Sequence, residues 1–172
     1  MHLPSLAQVL SLSLATLLIR KHLSPKLKWP NDVRLQGKKV SGVLCEIVFS
    51  GASAHVILGI GINVNMDKAD LDSIDQPATS LKVETGKAWD RTLLLKELAK
   101  QFAEDLKTFQ KKGFEPFLNP YENLLAFRGE KIHVLDGKTR ISGICHSLTS
   151  DGRLNLYMDD GSIRTISSGD IS

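Results

Sequence analysis

The sequence predicts an α+β protein: a mixed or antiparallel sheet packed by helices, followed by a small all-β unit. Three observations carry this. Two helical patterns differ in kind: a nearly all-apolar run at Leu6–Ile19, and a stripe over Arg91–Lys112. Two long strand-like runs, Val40–Phe49 and His55–Val64, flank the turn-forming Ser50-Gly51-Ala52-Ser53. Beyond Lys131, Asp-Gly pairs at 136–137, 151–152 and 160–161 separate short apolar runs, which is hairpin chemistry. A chain of 172 residues can bury a substantial core.

The first helix follows Pro4-Ser5, with Ser5 and Gln8 spaced as a capping box. The central region of a secretory signal is the rival reading. It is disfavoured because no basic residue precedes the run, Arg20 and Lys21 follow it, and no small-x-small cleavage site is evident. The run is also too short to span a bilayer. His22–Pro25 reads as a turn, Leu27–Trp29 as a short strand stopped by Pro30, and Val33–Leu35 as a strand. Ile57, Leu58, Ile60 and Ile62 make the later strand nearly continuously apolar, which predicts a central strand covered on at least one face. Met66–Gln76 is acidic and reads as surface loop or a short helical turn, and Glu84–Trp89 as a connector. Asp90 caps the long helix, whose Leu94, Leu98, Phe102, Leu106 and Phe109 share one face, and Gly113 ends it. Phe114–Phe127 joins two domains, 1–126 and 127–172, the second a small barrel.

Composition excludes more than it selects. A net charge of +3, from 22 basic and 19 acidic residues, is too slight for a nucleic-acid face and supports no membrane surface. Cys45 and Cys145 lie in separate apolar runs and read as two buried thiols suited to a reducing cytoplasm, a disulfide being the alternative. His22, His55, His133 and His146 share no spacing that builds a triad or a metal site, so no protein metal ligands are assigned.

The polar residues between the strands carry the chemistry. Gly59 and Gly61 either permit close backbone approach in a sheet or form a flat floor under a ligand, with Asn63 offering donor and acceptor to a heterocycle edge. Lys39 is either a snorkelling surface charge or, with Asp32 and Gly42, part of a pocket for an anionic, phosphate-bearing ligand. Asp32 is either a turn former after Asn31 or that pocket's carboxylate.

Taken together, Lys28-Trp29-Pro30-Asn31-Asp32, then Lys39-x-x-Gly42-x-Leu44-x-Glu46, then Gly59-Ile60-Gly61-Ile62-Asn63-Val64-Asn65, then Ala78-Thr79-Ser80-Leu81, resemble the biotin–protein ligases in order and spacing. The closing Gly169-Asp170-Ile171-Ser172 is similar to that family's C-terminal end. The resemblance implies a class II synthetase-like catalytic core and an SH3-like C-terminal barrel. It implies ATP, biotin and Mg2+, a biotinyl-5′-adenylate, and transfer to a lysine of a biotin carboxyl carrier domain. It makes Lys39 the catalytic cation and a biotin contact, and places Lys28, Asn31, Asp32 and Asn63 at the nucleotide. Gly42, Leu44, Gly59 and Gly61 then form the biotin pocket. Homodimers through sheet edges occur in similar proteins.

That family also carries a GRGRxGR-type loop and a Ser/Thr-Asn segment upstream of the region matched here, and some members a DNA-binding winged helix. The sequence does not contain them, and His133 stands where some relatives have a lysine-type phosphate contact. The expectation is therefore a truncated ligase without DNA binding, weakly active or inactive alone. An inactive remnant acting as a binding or scaffold protein is one alternative. A lipoate-type acyl transferase is the other, though the Lys28–Asp32 motif argues against it.

Overall fold

A computed structural model describes residues 3–51, 53–137 and 139–171. At its centre is α1 (Ser5–Arg20), an uninterrupted helix without internal glycine or proline. Thirteen of its sixteen residues are buried, polar Ser5, Gln8, Ser11 and Ser13 among them. A helix apolar on every side must be covered on every side. Here α4 (Arg91–Lys112) and α5 (Glu115–Leu124) cover it together with a sheet. Most of its polar side chains have partners, although Gln8 Oε1 is buried without one among the described residues. Ser11 donates to Asn31 O at 3.0 Å, and Ser13 donates to Asp105 Oδ2 at 2.6 Å. The expected capping box does not form: Pro4 occupies the N-cap without a side-chain bond. Gln8 instead donates Nε2 to Gly152 O at 2.7 Å, a carbonyl 144 residues away that also accepts from Trp29 Nε1 at 3.0 Å. Gly152 has φ +89°, and a Cβ there would run into the Gln8 amide, so only glycine fits this seam.

The sheet over α1 is antiparallel in the order β1 (Lys26–Lys28), β2 (Asp32–Leu35), β3 (Lys38–Ser50), β4 (Ser53–Ile62). Gln36 and Gly37, both at positive φ (47° and 75°), make the two-residue turn between β2 and β3. In the next turn Gly51 has φ 59°, while Ala52 lies outside the described residues. The expectation that the Ile57–Ile62 strand is central is overturned. β4 is an edge strand, and Ile57 is 55% exposed. Val56, Leu58, Ile60 and Ile62 pack inward in alternation, while Ile57, Gly59 and Gly61 face out. The apolar run was one buried face plus an outward isoleucine.

The join read at Phe114–Phe127 is largely helical, as α5, and of the connector read at Glu84–Trp89 only Glu84 and Thr85 are helical, at the end of α3 (Leu81–Thr85). α3 starts at Ser80, whose hydroxyl accepts from Val83 N at 3.1 Å, and α5 buries Phe117 and Tyr121 four positions apart. Between β4 and α3, the acidic loop carries the short α2 (Lys68–Leu71). Asp90 caps α4 as expected, accepting from Thr92 N and Leu93 N. The C-terminal strands are β5 (Lys131–Asp136), β6 (Thr139–Leu148), β7 (Leu154–Tyr157), β8 (Ile163–Ile166) and β9 (Asp170–Ile171). They form one antiparallel sheet in the order β8-β7-β6-β5-β9. Among the described residues the outer strands β8 and β9 do not pair, so the expected barrel is an open five-stranded sheet. A two-residue β9 is too short to hold ladders on both sides. Ser172, the last residue of the family-like ending, lies outside the described residues. Both cysteines are free, Cys145 buried and Cys45 half-buried. Among the described residues no helix is long and apolar enough to cross a membrane.

Candidate active site

Antiparallel register lines up one row across the four strands: Lys28 opposite Asp32, Asp32 opposite Gly42, Gly42 opposite Gly61. Directly opposed residues share a face, so this row is one side of the sheet. Asp32 is buried, and a lone buried carboxylate is costly. Lys39 supplies the compensation, its Nζ 2.7 Å from Asp32 Oδ1. The pair lies over Gly42, where a Cβ would come within 3.0–3.1 Å of the Lys39 Cε and Nζ and of Asp32 Oδ1. The glycine is what lets cation and carboxylate lie against the backbone.

The turn carrying Asp32 is held from beneath. Asn31 donates Nδ2 to Val43 O at 2.5 Å and accepts from Val43 N at 3.1 Å. Tyr121 donates its hydroxyl to Pro30 O at 3.1 Å. Burial pushes the Tyr121 phenol well above its ordinary range, and the nearby Asp32 charge pushes the same way. Ser41, also buried, donates to Gly61 O at 2.7 Å and locks the stagger of β3 against β4 beneath the glycines.

These groups open onto a cavity of about 610 Å³, a size that suits a small ligand. Asn31, Asp32, Lys39, Gly42, Leu44, Gly59, Gly61 and Asn63, all expected at a site, line it together. Three glycines leave its floor bare, and Leu44, 61% exposed, stands as a wall above Gly59. Lys28 is the exception. It lies outside the lining and pairs through Nζ with Asp170 Oδ1 at 2.8 Å, tying β1 to β9. Ser41, Val43, Ile60, Ile74, Gln76 and Ala78 also line the cavity; Ser41, Val43, Ile60 and Ala78 belong to segments the sequence singled out, whereas Ile74 and Gln76 do not. Ile74 and Gln76 come from the acidic loop, whose composition signals only surface. A second cavity, about 640 Å³, lies between the end of α1 and the start of α4, but there Lys21 is already paired with Glu97 at 2.8 Å.

Among the described residues no group of three or more His, Cys, Asp or Glu side chains could hold a metal ion. The chemistry of the donor set is thus one buried carboxylate beside one cation on a flat apolar floor. That fits a magnesium ion brought in on phosphate oxygens, which needs only one or two protein carboxylates, rather than a resident metal cage.

Residues 5–63 match the model of the biotin/lipoate A/B protein ligase family. The biotin protein ligase of Aquifex aeolicus, in a crystal structure, is 38% identical with a TM-score of 0.87, the match covering 99% of this chain and 74% of that one. The structure of the Aquifex enzyme in complex with biotin and ATP is 37% identical, TM-score 0.84, over 99% and 71%. The Paracoccus denitrificans biotin–[acetyl-CoA-carboxylase] ligase is 36% identical over 134 residues, 76% of this chain and 55% of the relative. The Escherichia coli bifunctional ligase/repressor BirA is 32% identical over 148 residues, 86% and 46%. This chain spans about half the length of the curated relatives it matches.

Proposed function

Because this chain belongs to the biotin protein ligase family, we propose that its cavity binds biotin and ATP and supports biotin transfer to a carrier-domain lysine. In the first step a biotin carboxylate oxygen attacks the α-phosphorus of ATP, and pyrophosphate leaves. In the second a carrier lysine amine attacks the acyl carbonyl of biotinyl-5′-AMP; AMP leaves and the amine gives up a proton. Both steps gather negative charge on oxygen, so a preorganised cation at their meeting point lowers the barrier. The Lys39–Asp32 pair over Gly42 is the observation that carries this reading. Asp32 holds the ammonium in place, and incoming anionic oxygens compete for the same Nζ. Gly42, Gly59, Gly61 and Leu44 form the biotin side. Asn31, Asp32 and Asn63 form the nucleotide side, which Lys28 joins on leaving Asp170. Magnesium would arrive with the nucleotide, neutralising phosphate charge, with Asp32 as its protein contact. The carrier domain would belong to a biotin-dependent carboxylase in the cytoplasm. Residues 1–126 would form the catalytic unit and 127–172 an SH3-like unit beside it; pairing of two chains through the β4 edge would give a homodimer.

Titration of this chain with biotin, ATP and biotinyl-5′-AMP, followed by transfer to a carrier domain, tests the reading. Adenylate binding that Lys39→Ala weakens by about 10²–10³-fold, a typical cost of losing one preorganised electrostatic contributor, supports it. Absence of adenylate binding to the parent chain, or an undiminished Lys39→Ala variant, overturns it.

A further inference from the structure

Residues Pro77–Thr79 form a strap pinned to β3 and to the residue that follows β4. The Lys39 N–H donates to Pro77 O at 2.9 Å, and Lys39 O accepts from Thr79 N at 2.8 Å, a short parallel bridge centred on Ala78. Asn63, one residue past β4, donates its backbone N–H to Val40 O at 2.8 Å and its Nδ2 to Thr79 O at 3.0 Å. The second bond fixes which way the amide faces. Its Nδ2 side is committed to the strap. Its Oδ1 meets no donor among the described residues, and Asn63 lines the cavity. What Asn63 presents to a ligand is therefore chiefly an acceptor. The strap is itself anchored: Thr79 is 1% exposed and donates Oγ1 to Glu84 Oε1 at 2.5 Å, from α3.

We propose that Thr79, held by Glu84, is a positioning residue that sets the Asn63 amide and the Lys39 backbone as one unit, so that the cavity favours a purine with a 6-amino group over a 6-oxo purine. This rests on the nucleotide reading above. A 6-amino group donates to Asn63 Oδ1, whereas a 6-oxo group sets acceptor against acceptor in a partly desolvated place and leaves both unpaired. The orientation survives only while the Thr79 carbonyl stays where the Glu84 anchor keeps it.

The test is equilibrium binding of ATP and ITP to the parent chain and to Thr79→Val, Thr79→Ser, Glu84→Ala and Glu84→Gln, each with a thermal melt. The parent is expected to prefer ATP by about tenfold or more, the worth of one buried hydrogen bond with its unpaired alternative. Thr79→Val and Glu84→Ala should bring the ratio to within about threefold. Thr79→Ser and Glu84→Gln, which keep donor and acceptor, should preserve it. Should Thr79→Val fail to fold, Glu84→Ala reads the same anchor from a half-buried position. A lowered melting temperature with an unchanged ATP/ITP ratio in the Val and Ala variants would make the strap merely structural and overturn the proposal. Equal binding of ATP and ITP by the parent overturns it too while leaving the nucleotide site standing. Binding of neither removes the nucleotide reading and this proposal together.

Discussion

The two halves of β3 follow the same alternation and meet opposite fates. From Val40 to Val43 the strand lies against α1, and Val40, Ser41 and Val43 are all buried. From Leu44 to Ser50, with β4 as its neighbour, the cover thins: Cys45 and Ile47 are half-buried, Leu44 is 61% exposed and Phe49 76%. An apolar side chain on a strand is thus no measure of burial; the layer beyond it is. The candidate site sits at the boundary. Its cation–carboxylate pair lies over Gly42 in the covered half, and its leucine wall, Leu44 opposite Gly59, belongs to the open half. A rigid charge arrangement and an accessible apolar surface are both obtained by letting one strand outrun its cover.

Stability effects should break along the same boundary. Leu14→Ala, at a fully buried position of α1, is expected to cost about 2–5 kcal/mol in denaturant unfolding. Leu44→Ala should leave stability within about 0.5 kcal/mol while weakening biotin binding. Equal losses from the two would mean that the open half is covered in solution.

The glycines sharpen the contrast at the site itself. A Cβ at Gly42 meets the Lys39–Asp32 pair at 3.0–3.1 Å, whereas one at Gly61 meets nothing within 4 Å. Gly42→Ala should lower the stability of the ligand-free chain by roughly 1–3 kcal/mol, less if the lysine tip gives way. Gly61→Ala should leave its melting temperature alone and act only when a ligand is added. A Gly61→Ala chain that melts early would put that residue in the packed region.

The smallest effect concerns the thiols. Burial pushes the Cys145 thiol from its ordinary 9.0 up to about 11, and Cys45 shifts in the same direction from burial alone. A raised thiol pKa favours the folded state fully below pH about 9. That contribution is lost as pH rises through about 11, because the unfolded chain ionises first. Alkylation near pH 8 should label Cys45, half-buried, ahead of the fully buried Cys145. Faster labelling of Cys145 would show that the C-terminal sheet opens before the hairpin does.

Much of this architecture was legible in local pattern. The α4 stripe with its Asp90 cap and Gly113 stop, the Asp-Gly turns and the Lys28–Asp32 motif are all statements about residues within a few positions of one another. The grouping of Gly42, Gly59 and Gly61 spans more sequence but follows from one hairpin, whose register sets Gly42 opposite Gly61 and Leu44 opposite Gly59. The periods of 2 and 3.6 are properties of the backbone, and any chain with these residues displays them.

Tertiary structure alone decided what lies across each face. That Ile57 points to solvent, that Gln8 leaves its cap for a carbonyl 144 residues away, that Lys28 turns to Asp170, that Ile74 and Gln76 line the cavity, and that Thr79 N–H bonds Lys39 O depend on contacts between distant segments. A polar group on a buried face takes the partner that packing brings within hydrogen-bond reach, and sequence spacing carries no record of that distance.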